Sequence, residues 1–142
     1  MHLWLEIEGA PGRLELPGGG SALVAFMSFA VSRGFGATHP LIALADRLHG
    51  EHGVRFGPLT TFYEAEAEDA EDREKLELAW QEAAPLAAEL RRVATAIRGD
   101  TLCATLAARG AGESIPAEAE ALAGLLDAPA ASGMRARLVY AL

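Results

Sequence analysis

Apolar blocks separated by glycine- and proline-marked breaks define most of the predicted elements. Leu23, Val24, Ala25, Phe26, Met27, Phe29, Ala30 and Val31 leave almost no polar face. A helix starting at Ala22, with Ser21 as its N-cap, is therefore predicted at the centre of the domain or in a subunit interface. Gly34 and Gly36 terminate it. Thr38 with Pro40 opens a second, amphipathic helix, with Leu41, Ile42, Leu44, Ala45 and Leu48 as its inward stripe ahead of Gly50. Glu51 to Phe62 has three breakers and no clear period, so it reads as a loop in which Val54 to Phe56 could be extended.

The clearest periodicity follows: Leu76, Trp80, Ala83, Ala87, Leu90, Ala94 and Ile97 step by four and three, as one face of a long helix does. Pro85 lacks an amide proton and crowds the carbonyl four residues back, which predicts a kink or a break there. After Gly99-Asp100 a shorter helix runs through Leu102, Leu106 and Ala107 to Gly110, and Ser114 with Pro116 opens another reaching Leu126. The acidic run from Glu64 to Asp72 suits a solvated helical entry.

The two ends are ambiguous. Leu3, Leu5 and Ile7 alternate with Glu6 and Glu8 as in a strand, although Leu3 and Ile7 also lie one helical turn apart; the local pattern favours a strand. Met134 to Leu142 fits either helix or strand.

A chain of 142 residues has room for one domain and a sizeable core, and no repeat or linker divides 1–142. Thirty of the residues are alanine, which favours closely packed helices. The formal net charge of −8 disfavours binding to nucleic acid or to an anionic membrane. The run Leu23 to Val31 falls far short of the ~20 residues that cross a bilayer. A single cysteine, Cys103, allows no internal disulfide, and the first residues lack signal-peptide regions, so a cytoplasmic location is expected.

Among residues able to carry chemistry, Pro17-Gly18-Gly19-Gly20-Ser21 is the most unusual. Three glycines permit positive φ and close backbone approach, and the helix after them presents free N–H groups to an anion. The plainer reading is a flexible turn with a helix cap. No Gly-Lys-Ser/Thr follows, which excludes a P-loop. His49 and His52 could give two metal ligands but fix no third; His39, before Pro40, could act as a general base. Cys103 reads as a small buried hydrophobe, with no histidine near it in sequence, and Trp4 and Trp80 read as packing residues.

Leu16-Pro17-Gly18-Gly19-Gly20-Ser21-Ala22-Leu23, followed by an apolar helix containing Met27, resembles the N-terminal signature of the formiminotetrahydrofolate cyclodeaminase and methenyltetrahydrofolate cyclohydrolase family. Trp80 to Ala87 and Gly99 to Ala104 are similar, more loosely, to later family segments. The resemblance implies an all-α helical bundle spanning 1–142, homodimeric, binding a tetrahydrofolate derivative without a metal. It also turns Leu3 to Ala10 into a short helix. Under it, Gly18, Gly19, Gly20, Ser21 and Arg33 form the ligand site, with Arg47 and Arg55 as further candidates for the glutamate tail. Asp100, Glu64 or His39 would supply the proton transfer that cyclodeamination or cyclohydrolysis requires. The chain is shorter than usual family members, has no clear aspartate in the middle segment and contains no asparagine, so an inactive relative is one expectation. Two alternatives stand beside it: a noncatalytic helical homo-oligomer joined through Ala22 to Val31, and a mixed α/β domain with strands at Leu3 to Glu8 and Arg135 to Tyr140.

Overall fold

The computed structural model describes residues 1–34 and 38–142; the predicted helix stop at Gly36 lies outside the described residues. Strand β1 (His2–Ile7) places both Leu3 and Leu5 at 0% exposure, a spacing of two that one strand face satisfies and one helix face does not. It pairs antiparallel with β5 (Arg135–Ala141), setting Leu3 opposite Tyr140 and Leu5 opposite Leu138. A short β2 (Leu14–Glu15) returns along the outer side of β1. On the other side of β5, β3 (Phe62–Glu64) runs parallel to it and β4 (Gln81–Glu82) antiparallel.

Seven helices complete the described residues: α1 (Ser21–Ala30), α2 (Pro40–His52), α3 (Phe56–Leu59), α4 (Ala70–Leu78), α5 (Ala83–Gly99), α6 (Thr101–Ala111) and α7 (Ile115–Ala131). Helix α1 packs on β1 and α7 on β5, so Leu3, Leu5 and Leu138 share one core with Leu23, Phe26, Met27, Leu90 and Leu122. No helix among the described residues is long and apolar enough to cross a membrane.

The architecture is therefore mixed α/β, which corrects the all-α helical bundle. It also corrects the N-terminal helix at Leu3 to Ala10. The mixed alternative with terminal strands matches to within a residue or two. The physical reason is pairing between chain ends: β1 satisfies its backbone groups on β5, more than 120 residues away, and neither strand can be assigned securely from its own pattern.

The predicted long helix is also two. Pro85 is the third residue of α5, where a missing amide proton has no intrahelical carbonyl to meet, so it opens the helix without kinking it. The break lies upstream, where Gln81 and Glu82 pair with β5 and Arg137 lies 4.3 Å over the Trp80 ring. Helix α4, outside that break, buries no residue. Helices α2 and α6 continue through Gly50 and Gly110, and α6 uses its glycine for contact: a Cβ at Gly110 would stand 2.4 Å from Leu41 Cγ on α2.

Candidate functional site

The glycine loop forms a left-handed turn, with φ of 60°, 67° and 64° at Gly18, Gly19 and Gly20. Gly20, rather than Ser21, occupies the N-cap of α1, and no side-chain hydroxyl caps the helix. The His2 ring packs against the loop closely enough that a Cβ on Gly19 would approach His2 Nδ1 to 2.8 Å. The helix end itself is occupied from within the chain. Glu118, in the first turn of α7 and 4% exposed, accepts from the Leu23 amide at 3.1 Å and from the Ala22 amide. A buried carboxylate thus already matches the positive end of α1. Burial pushes the Glu118 carboxyl above its ordinary range, against the pull of those two amides.

A denser polar cluster forms where α5 passes into α6. Asp100 caps α6, its Oδ1 accepting from the Leu102 amide at 3.0 Å and the Cys103 amide at 3.3 Å. Its Oδ2 accepts from His52 Nε2 and from Arg47 Nε, both at 2.8 Å and both on α2. The His52 and Arg47 donors hold the Asp100 carboxyl far below the usual carboxylate range, and Asp100 in turn raises Arg47. Asp100 is consequently an ionised anchor with no proton to give. Because its carboxylate is acceptor-only, the His52 proton sits on Nε2, and Nδ1 is left without a partner among the described residues.

Cys103 lies against this cluster at 0% exposure, its thiol pushed up to about 11 by burial and by the Asp100 charge. His52, Asp100 and Cys103 bring one ligand atom each within 4.8 Å of one another and could together hold an ion. Arg47, bonded to the same Asp100 oxygen as His52, already sets a positive charge on the carboxylate that such a cation would need. His49 does not share the cluster with His52; its Nδ1 donates to the Val54 carbonyl at 3.1 Å.

His52 also lines a groove of about 480 Å³ between α2 and α5, with Ala88, Arg91, Arg92, Thr95 and Gly99 on its α5 side. Arg91 forms a two-point ion pair with Asp127 of α7 at 2.7 and 2.9 Å. Arg92 spends only Nη1, on Glu89 at 3.0 and 3.2 Å, leaving its Nε and Nη2 donors without partners among the described residues. Glu89, 4% exposed, is fixed from its other side by the Arg55 amide at 2.8 Å.

The sequence-predicted residues are dispersed. His39 caps α2, its Nδ1 accepting from the Leu41 amide at 3.1 Å and its ring stacked 3.8 Å from that of Phe29; His52 ends the same helix, about 20 Å away at 1.5 Å per residue. Glu64 lies on β3 in an acidic depression beside Tyr63, Glu66, Asp72 and Tyr140. Arg33 donates to the Ala30 carbonyl at 2.9 Å and lies over the Phe56 ring. Asp100, Glu64 and His39 thus share no hydrogen bond. Arg91, Arg92 and the His52–Asp100 link are not among the sequence-predicted site residues. The one available signal was a pair of adjacent arginines facing away from the Leu90, Val93 and Ala94 stripe.

Comparison with protein-family models, with curated proteins and with solved structures finds no match to this chain.

Proposed function

We propose that the protein binds a small oxyanion-bearing molecule, a carboxylate or phosphate, in the groove between α2 and α5. The observation that carries this reading is the convergence of uncommitted polar groups on one concavity. Among the described residues Arg92 Nε and Nη2 have no partner, Thr95 is exposed, and His52 is held from behind by Asp100, itself bonded to Arg47. A groove of this volume falls within the range of small-molecule sites, and a few placed polar groups within a modest concavity are their usual composition. Guanidinium donors suit oxyanions because their planar fork meets two oxygens at once.

A tetrahydrofolate derivative, with its glutamate carboxylates, belongs to this ligand class. The Leu16 to Leu23 resemblance alone carries that choice, since the all-α bundle it implied gives way to a mixed α/β fold. In such a complex, Arg92, whose Nε and Nη2 are not engaged by the described residues, would take a carboxylate, and Asp100 would act as a fixed anchor rather than a proton donor. The homo-oligomeric alternative has less to stand on, because Leu23, Val24, Phe26 and Met27 of α1 are covered within one chain.

A ¹⁵N–¹H NMR titration with sulfate and, separately, 5-formyl-tetrahydrofolate tests the reading. Saturable shifts are expected at the amides of His52, Arg92, Thr95 and Gly99 with sulfate. Their absence at tens of millimolar sulfate would overturn it, and shifts centred on Gly18 to Ser21 with the folate would move the site to the glycine loop.

A further inference from the structure

We propose that the groove is a receptor for organic carboxylates and discriminates against dianionic heads, phosphate esters among them. The inference rests on the groove reading above and names the ligand class that the site selects. Both Glu89 oxygens accept from Arg92 Nη1, and Oε1 also accepts from the Arg55 amide. Glu89 is 4% exposed, so the pair is pinned from the protein side. The edge of the guanidinium without a partner among the described residues is Nε with Nη2, whose parallel N–H bonds meet both oxygens of one carboxylate. Ala88 and Ala96 add apolar surface for the ligand's organic body, in a volume of about 480 Å³ that a bare ion would leave mostly open.

Charge decides the class of head. Around the groove three guanidiniums face three carboxylates: Arg91 and Asp127, Arg92 and Glu89, Arg47 and Asp100. Glu51, beside Arg47, is a further acid, and the whole chain carries a formal net charge of −8. A single negative charge gains the Arg92 fork at little electrostatic cost. A second one finds no guanidinium of the groove unmatched and meets the surrounding carboxylates instead. Sulfate, a dianion with no organic body, is by the same reasoning a weak occupant.

Benzoate, benzenesulfonate and phenyl phosphate set one ring on a planar monoanion, a tetrahedral monoanion and, at about pH 8, a tetrahedral dianion. Affinities from ¹⁵N–¹H titrations read at the Arg92 and Thr95 amides should rank phenyl phosphate last, roughly fivefold or more weaker than benzoate, with benzenesulfonate within about threefold of benzoate. Asp127→Asn, at an exposed ion pair, unmatches Arg91 and should narrow the gap by tightening phenyl phosphate more than benzoate. Arg92→Gln should weaken all three. Phenyl phosphate binding as tightly as benzoate, benzenesulfonate as weak as phenyl phosphate, or a gap that Asp127→Asn leaves unchanged overturns the charge selection and leaves the groove reading standing. No groove shifts with any of the three at tens of millimolar, or affinities that survive Arg92→Gln, remove both.

Discussion

Glu118 on α7 accepts a hydrogen bond from the backbone amide of Leu23, 95 residues earlier, and in doing so fills the helix end that the glycine loop would otherwise offer to a ligand. Replacing Glu118 with Ala strands the Ala22 and Leu23 amides in the core and should destabilise the fold by about 1–3 kcal/mol, with Glu118→Gln, which keeps an acceptor, losing less. Urea denaturation of the two variants checks the order.

The same residue fixes a pH signature opposite to that of Asp100. The folded-state Glu118 carboxyl is raised from its ordinary 4.5, so its contribution to stability is complete below about pH 4.5 and is lost as the pH rises through the higher folded value. Asp100 is depressed from 3.8, so its contribution is present above about pH 3.8 and is lost only as the pH falls through the lower folded value. Relative to Glu118→Gln, the wild type should lose stability as the pH rises above about 4.5. Relative to Asp100→Asn, it should lose its advantage on acidification below about pH 3.8. Denaturation midpoints across an acid pH series separate the two.

Two helical glycines should respond to alanine with opposite signs. Nothing stands within 4 Å of a Cβ at Gly50, so Gly50→Ala should stabilise by roughly 0.4–1 kcal/mol through the unfolded chain's lost freedom. At Gly110 the new Cβ meets fully buried Leu41, and overpacking of about 1–3 kcal/mol exceeds the propensity gain of about 1. Thermal midpoints moving in the same direction would contradict the α2–α6 contact.

In the glycine loop, Gly18→Ala meets open space and should lose only about 1–2 kcal/mol to left-handed strain. Gly19→Ala must in addition displace His2 from its contacts with Glu15 and Trp4, so it should lose more. Equal losses would contradict the packing of β1 on this loop.

Cys103, buried and with its thiol pushed up to about 11, should resist a disulfide reagent in the native state and react fully in urea. Fast native-state reaction would place the thiol at the surface.

Those contacts also show which parts of the molecule were legible in the sequence. Leu23 to Met27, apolar all round, announced a buried helix because nothing but the interior could cover it. The alternation of Leu3, Leu5 and Ile7 indicated a strand correctly, and the family likeness pulled it toward a helix. The break before Ala83 was hidden, because it depends on Gln81 and Glu82 meeting β5 and on Trp80 meeting Arg137, partners more than 50 residues away. The Asp100 cluster was hidden for the same reason. Asp100 and Cys103 share a helix cap that local spacing suggests, but His52 lies 48 residues from Asp100, and only the packing of α2 on α6 joins them.

The proposed oxyanion site lies between α2 and α5 and not at the glycine loop. A crystal structure with selenate, located by its anomalous scattering, tests it most directly. A selenium peak is expected within hydrogen-bond reach of Arg92 and His52, with Glu118 still bonded to Leu23. A peak at Gly18 to Ser21 with Glu118 displaced from α1, or no peak in the groove at tens of millimolar selenate, would contradict it.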